Sequence, residues 1–173
     1  MNMYMKFIGS AIVITITTLI GREVASDKKK KADSYKILAE FFTFVHEKLS
    51  CGYSDIAKIL VDCSTDYDGV LATITSELAT SIMNSDNINM KEAYEVTLDR
   101  LYEYRESVEA ELLREFSEQW DLSDRDGCIK IAERLKNKAD SIYTELASNL
   151  HNETKLAIFS GIFAGVFLVL VLI

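Results

Sequence analysis

Cysteine and histidine side chains are the groups in this sequence best suited to nucleophilic catalysis or metal binding. The three cysteines, Cys51, Cys63 and Cys128, are odd in number and form no Cys-x-x-Cys pair. They therefore predict neither a disulfide framework nor a zinc site. His46 and His151 stand alone, and His46 lacks the second histidine that a zinc-binding helix requires. No catalytic or metal-binding residue is predicted from these types.

Nucleotide binding and acid–base catalysis find equally little support. The sequence contains neither GxxxxGK[ST] nor GxGxxG, so no phosphate-binding loop is predicted. Glu106, Glu109 and Glu111 cluster, and we interpret them as a solvated helix face. The net charge is −8, which argues against a nucleic-acid surface. We predict a non-enzymatic protein with no cofactor, no small-molecule substrate and no nucleic-acid partner.

Three aspartates, Asp121, Asp124 and Asp126, crowd the segment before the last predicted helix. We predict that they form a partner-binding site, because a protein docked there would act directly on that helix. The alternative is local: Asp124 caps the helix, and its neighbours favour the positive end of the helix dipole.

The elements that must position these side chains are helices. The chain has no proline and only seven glycines, which predicts an all-α fold. Apolar residues recur in steps of three and four within six segments, which indicates a six-helix bundle. Gly52 should end the first bundle helix, Ser54 should cap the second and Asn89 the fourth. The predicted helices cover residues 31–50, 54–63, 70–83, 90–102 and 108–120, and a long exit helix follows Asp124.

Apolar segments flank this bundle. Residues 156–173 are uncharged and reach about 27 Å, close to the hydrocarbon thickness of a bilayer. Residues 7–20 reach only about 21 Å, and a snorkelling Lys6 would lengthen that span. A cleaved signal peptide is the alternative, because Val24-Ala25-Ser26 resembles a cleavage site, but we expect a retained helix. The predicted division is a first transmembrane helix at 1–21, a helical domain at 22–155 and a second transmembrane helix at 156–173.

Charge sets the expected topology. Arg22 and the run Lys28, Lys29, Lys30 and Lys31 follow the first span, which predicts that this side is cytoplasmic. The lysines could also bind anionic lipid at the membrane surface, or serve as a topology signal alone. We therefore expect a two-pass protein with an acidic cytoplasmic domain.

Small residues predict helix packing within the membrane. Gly161 and Gly165 form a GxxxG motif in the second span, which lets another helix approach closely. Thr17 and Gly21 form a second small-xxx-small pair, so the first span is the natural partner.

The whole chain resembles the stage III sporulation protein AB family. The likeness lies in the order and spacing of a glycine-containing first span, a basic exit, a helical domain and a closing GxxxG span. The chain departs from the family pattern at residues 51–56 and at Trp120-Asp121. The residues that carry the resemblance are Gly9, Gly21, Ala93, Tyr94, Phe116, Asp124, Gly161 and Gly165.

The resemblance implies a protein similar to the inner-membrane platform proteins of type II secretion and type IV pilus machines. It implies a place in the mother-cell membrane, the outer forespore membrane. Its partners would be a cytoplasmic secretion-type ATPase similar to the AA member and the other membrane proteins of that assembly. A two-span sensor or signalling module is the alternative function, although its sensing domain would usually lie outside the cell.

Overall fold

A computed structural model describes residues 3–84 and 88–172, and its described part contains helices and no strand. Six α-helices appear in the predicted order, together with a short 3₁₀ turn at Tyr102–Tyr104. The all-helical prediction is confirmed. The α-helices are α1 (Met3–Ser50), α2 (Ile56–Asp66), α3 (Gly69–Met83), α4 (Met90–Arg100), α5 (Val108–Trp120) and α6 (Arg125–Leu172).

The chain divides into two compact units. We call Ser34–Ile142 the bundle unit, and Met1–Asp33 with Tyr143–Ile173 the terminal unit. Helices α1 and α6 each have 48 residues and contribute to both units. The prediction that the first bundle helix begins near residue 31 is therefore wrong. Residues 3–50 form one continuous helix, which includes the lysine run at 28–31.

The flanking membrane helices are not supported by the structure. Within the described residues, no helix combines the length and apolar character needed to cross a membrane. In the terminal unit, large apolar side chains are exposed on both long helices. They are Ile16, Leu19, Val24, Phe159, Ile162, Phe163 and Phe167.

The core of the bundle unit is an aromatic cluster surrounded by aliphatic side chains. Phe42 on α1 lies edge-on to Phe41 and to Phe116 on α5, with ring centroids 5.0 and 5.7 Å apart. Leu38 and Val45 continue the α1 stripe and are fully buried. Complete burial of each such side chain contributes about 1.5–3 kcal/mol, so this seam is a main source of stability.

The shorter helices pack in sequence order, α2 against α3, α3 against α4 and α4 against α5. The Tyr94 hydroxyl donates to the Ala110 carbonyl, which joins α4 to α5 inside the core. Thr97 and Ser81 share a buried hydrogen bond of 3.3 Å between α4 and α3. These bonds satisfy polar groups that would otherwise be costly to bury.

Turn residues set the helix boundaries. Gly52 follows α1 with φ of +98°, in the left-handed region that glycine occupies without strain, and confirms the predicted stop. Asn89 accepts from the Glu92 amide at 2.7 Å, which confirms the predicted cap of α4. The predicted Ser54 cap is wrong, because Asp55 accepts from the Lys58 amide at 3.3 Å and caps α2.

Candidate docking site at the turn between α5 and α6

The turn between α5 and α6 holds the three aspartates predicted to bind a partner. Asp121 follows the last residue of α5. Its Oδ1 accepts from the Met90 amide at 3.0 Å, and its Oδ2 accepts from the Lys91 amide at 3.2 Å. Asp121 thereby caps the start of α4, where its charge also faces the positive end of the helix dipole. About thirty residues of sequence separate Asp121 from these two amides, so no local sequence pattern predicts the contact.

Asp124 caps α6, as the local alternative proposed. Its Oδ1 accepts from the Gly127 amide at 2.8 Å. A side chain at Gly127 would place its Cβ 2.9 Å from the Ser123 Cβ and 3.0 Å from Asp124 Oδ1, so the cap requires a glycine there. Asp126 is exposed in the first turn of α6. Asp121 and Asp124 are exposed as well, but their carboxylates bind the amides at the starts of α4 and α6, so Asp126 is the most available to a partner.

Arg125 is the residue of this site that the sequence did not indicate. Its Nη2 and Nε donate to the Leu49 carbonyl at 2.6 and 3.1 Å, and Nη2 also reaches the Ser50 carbonyl at 3.5 Å. These carbonyls belong to the last turn of α1, where a cation also interacts favourably with the helix dipole. The guanidinium thus holds the end of α1 against the start of α6.

A cavity of about 180 Å³ opens beside this contact. Its lining combines apolar side chains from α1, α5 and α6 with two serines and the Arg125 guanidinium. The lining residues are Leu49, Ser54, Trp120, Ser123, Arg125 and Cys128. Leu122, which lies between two of them in sequence, is 87% exposed, and Tyr53 is 52% exposed.

The cysteine in this cavity is poorly suited to nucleophilic attack. Burial raises the pKa of the Cys128 thiol, and the charges of Asp124 and Asp121 raise that pKa further. Burial likewise raises the pKa of Cys63 to about 12. Both thiols therefore stay protonated near neutral pH, while Cys51 is exposed. Within residues 3–84 and 88–172, no group of three His, Cys, Asp or Glu side chains could hold a metal ion.

Acidic charge is concentrated on the helices between α1 and α6. The bundle unit has 12 basic and 22 acidic residues, a net charge of −10. Residues 55–120 contain 5 of the basic and 15 of the acidic residues and so account for the whole excess. The predicted solvated face at Glu106, Glu109 and Glu111 is wrong at one position, because Glu109 is only 8% exposed. Glu109 precedes the buried Leu112, Leu113 and Phe116 at helical spacing and lies on the core stripe of α5.

The other predicted site residues lie in the long helices. Lys28, Lys29, Lys30 and Lys31 are exposed, and Lys30 lies 3.3 Å from the Asp27 carboxylate in an exposed ion pair. The four small residues predicted to pack in the membrane lie within helices. What packs around them is outside the part of the chain that the structure describes. They are Thr17, Gly21, Gly161 and Gly165. The structure places no predicted membrane residue in the bundle unit.

The helical architecture has a counterpart among solved structures. A solved chain described as stage III sporulation protein AB has the same helical fold, with a TM-score of 0.59. The match covers 70% of this chain and 96% of the solved chain at 13% identity, so it speaks for the fold alone. No curated protein shows significant similarity in sequence.

The family follows from the sequence match. The model of the family described as stage III sporulation protein AB matches residues 6–173. The chain therefore belongs to the stage III sporulation protein AB family, as the resemblance in its sequence indicated. The family description names a sporulation protein and no enzyme class.

Proposed function

We propose that the protein is a non-catalytic membrane platform of the sporulation apparatus that links a cytoplasmic secretion-type ATPase to membrane partners. The observation that carries the proposal is the connectivity of the turn between α5 and α6. Asp121 binds the start of α4, and Arg125 binds the end of α1. A partner bound at this turn would act on both 48-residue helices at once.

The ATPase docks at the exposed acidic part of this turn, with Asp126 as the main contact. Exposed charges contribute chiefly to the rate and specificity of association, so binding should weaken as salt rises. Asp121 and Asp124 shape the surface, because their carboxylates already cap α4 and α6. The ATPase is of the kind implied by the family, similar to the AA member of the same sporulation assembly.

Membrane attachment completes the proposed function. The exposed aromatic residues Phe159, Phe163 and Phe167 recur every four positions along α6 and would suit a lipid or membrane-protein environment. The exposed lysines at 28–31 would lie on the cytoplasmic leaflet, where each contributes about 1 kcal/mol of attraction to anionic lipid. The proposed location is the mother-cell membrane, with two spans and the bundle unit in the cytoplasm.

Docking is tested by measuring the affinity of the full-length protein for the ATPase at low and high salt. We expect Asp126→Lys to weaken binding at low salt and to reduce its salt dependence. Asp68→Lys is the matched control, since Asp68 is exposed and its side chain makes no cap hydrogen bond. Equal affinities of both variants and the unchanged protein would place the ATPase elsewhere.

Topology is tested with Cys51, the exposed thiol of the bundle unit. A membrane-impermeant maleimide should label Cys51 only after the cells are permeabilised. Because Cys63 and Cys128 are buried, a Cys51→Ser variant gives the background in the same assay. Labelling of Cys51 in intact cells would reverse the proposed orientation.

A further inference from the structure

We propose that the cavity between α1, α5 and α6 receives one bulky apolar side chain from a basic segment of a protein partner. The cavity lies at the turn where the proposed function places the ATPase, so this inference deepens that proposal and rests on it for the partner's identity. The chemistry of the occupant, however, follows from the cavity itself.

The size and lining of the cavity fit an apolar anchor. A volume of about 180 Å³ accepts a side chain such as Phe or Leu. Leu49 is 2% exposed and Trp120 is half-buried, so the floor is apolar. Buried aromatic and aliphatic anchors of this kind dominate the energy of many protein interfaces.

The rim offers further exposed apolar surface, although the Tyr53 ring already carries the Lys48 ammonium 5.0 Å from its centre. Leu122 is 87% exposed and Tyr53 is 52% exposed. Leu122 lies between the cavity-lining Trp120 and Ser123, which places it at the edge of the opening. A partner whose anchor enters the cavity would cover Leu122 and remove its apolar surface from water.

Charge at the rim selects a basic partner. Residues 121–126 contain three aspartates and one basic residue, Arg125. The Arg125 guanidinium donates to the Leu49 carbonyl, is exposed and keeps its positive charge, so the three aspartates leave this segment with a net charge of −2. Lysine or arginine residues beside the apolar anchor would therefore meet complementary charge.

Trp120 provides a local reporter, because it is the only tryptophan of the chain and lines the cavity. The probes are two tryptophan-free peptides, one with a central Phe between lysines and one with Ala in its place. Each is titrated into the full-length protein while Trp120 emission is recorded. We expect saturable binding of the Phe peptide and at least about tenfold weaker binding of the Ala peptide.

Two variants separate the cavity from general attraction between the peptide and an acidic protein. Ser54→Phe places a ring at the exposed mouth of the cavity and should weaken the Phe peptide by at least about tenfold. Leu122→Ala removes rim surface without touching the core and should weaken it by about threefold. Tyr102→Ala is the matched control, because Tyr102 is 79% exposed on the 3₁₀ turn and should leave binding unchanged.

Equal affinity of the Phe and Ala peptides would overturn the inference. Unchanged binding to a Ser54→Phe variant with an unaltered melting temperature would also overturn it. If that melting temperature falls, the affinities of Leu122→Ala and Tyr102→Ala for the Phe peptide are compared instead, and equal affinities overturn the inference. ATPase binding is measured separately on the same variants. Loss of peptide discrimination with intact, salt-sensitive ATPase binding would reject the cavity and retain the proposed function. Cavity binding without ATPase association would reject that partner alone.

Discussion

Replacing Asp121 with alanine should destabilise the bundle unit, because the carboxylate holds two backbone amides at the start of α4. Both bonds, of 3.0 and 3.2 Å to the Met90 and Lys91 amides, would be lost. Loss of a capping carboxylate typically costs about 0.5–2 kcal/mol. Lys91 is exposed, so water would replace one of the lost bonds, and we expect about 1–1.5 kcal/mol.

The conservative variant separates hydrogen bonding from charge. Asp121→Asn keeps one oxygen that can accept from an amide but loses the negative charge near the helix N-terminus. We expect it to cost about 0.5 kcal/mol, less at high salt, because exposed charge interactions with a helix end are screened. Its effect should therefore lie between those of the unchanged protein and Asp121→Ala.

Urea unfolding of the full-length protein, followed by circular dichroism, measures both changes. In thermal unfolding of the same variants, a loss of 1 kcal/mol corresponds to a fall of roughly 4 °C in melting temperature for a domain of this size. Asp126→Ala serves as the control, since Asp126 is an exposed aspartate on the same turn. Equal stability of Asp121→Ala and Asp126→Ala would refute the capping role.

Three further predictions concern the α1 contact, a buried thiol and the terminal unit. Arg125→Met should lower stability by about 1–2 kcal/mol in urea unfolding, because the Leu49 carbonyl loses the charged guanidinium and keeps only the Gly52 amide as donor; unchanged stability would contradict this role of Arg125. Burial raises the pKa of Cys63 from 9.0 to about 12, so stability should fall as pH rises above 9, by about 1 kcal/mol at pH 10. The unfolded thiol ionises there while the folded one does not, and a Cys63→Ala variant should show a shallower pH dependence. Gly161→Leu with Gly165→Leu should preserve membrane insertion but reduce co-purification with membrane partners, and unchanged association would show that these glycines are incidental.

The sequence by itself determined most of the helices and two of their ends. Periodic apolar residues predict helices because a helix brings every third or fourth side chain to one face. Asn89 and Gly52 were predictable for a local reason: a cap binds an amide three residues away, and a left-handed stop requires no partner. Glu109 was also within reach, since it continues the core spacing of α5, but its charge favoured the solvated interpretation.

Only the tertiary structure decided what the α5–α6 turn does. Asp121 and Asp126 are alike in sequence, yet the Asp121 carboxylate caps α4 while Asp126 lies in the first turn of α6. Arg125 finds its acceptor 76 residues earlier, at the end of α1. Such contacts depend on which helix ends meet when the bundle closes, and residue type and spacing do not encode that pairing locally. The cavity has the same origin, because three separate helices must converge before an apolar opening exists between them.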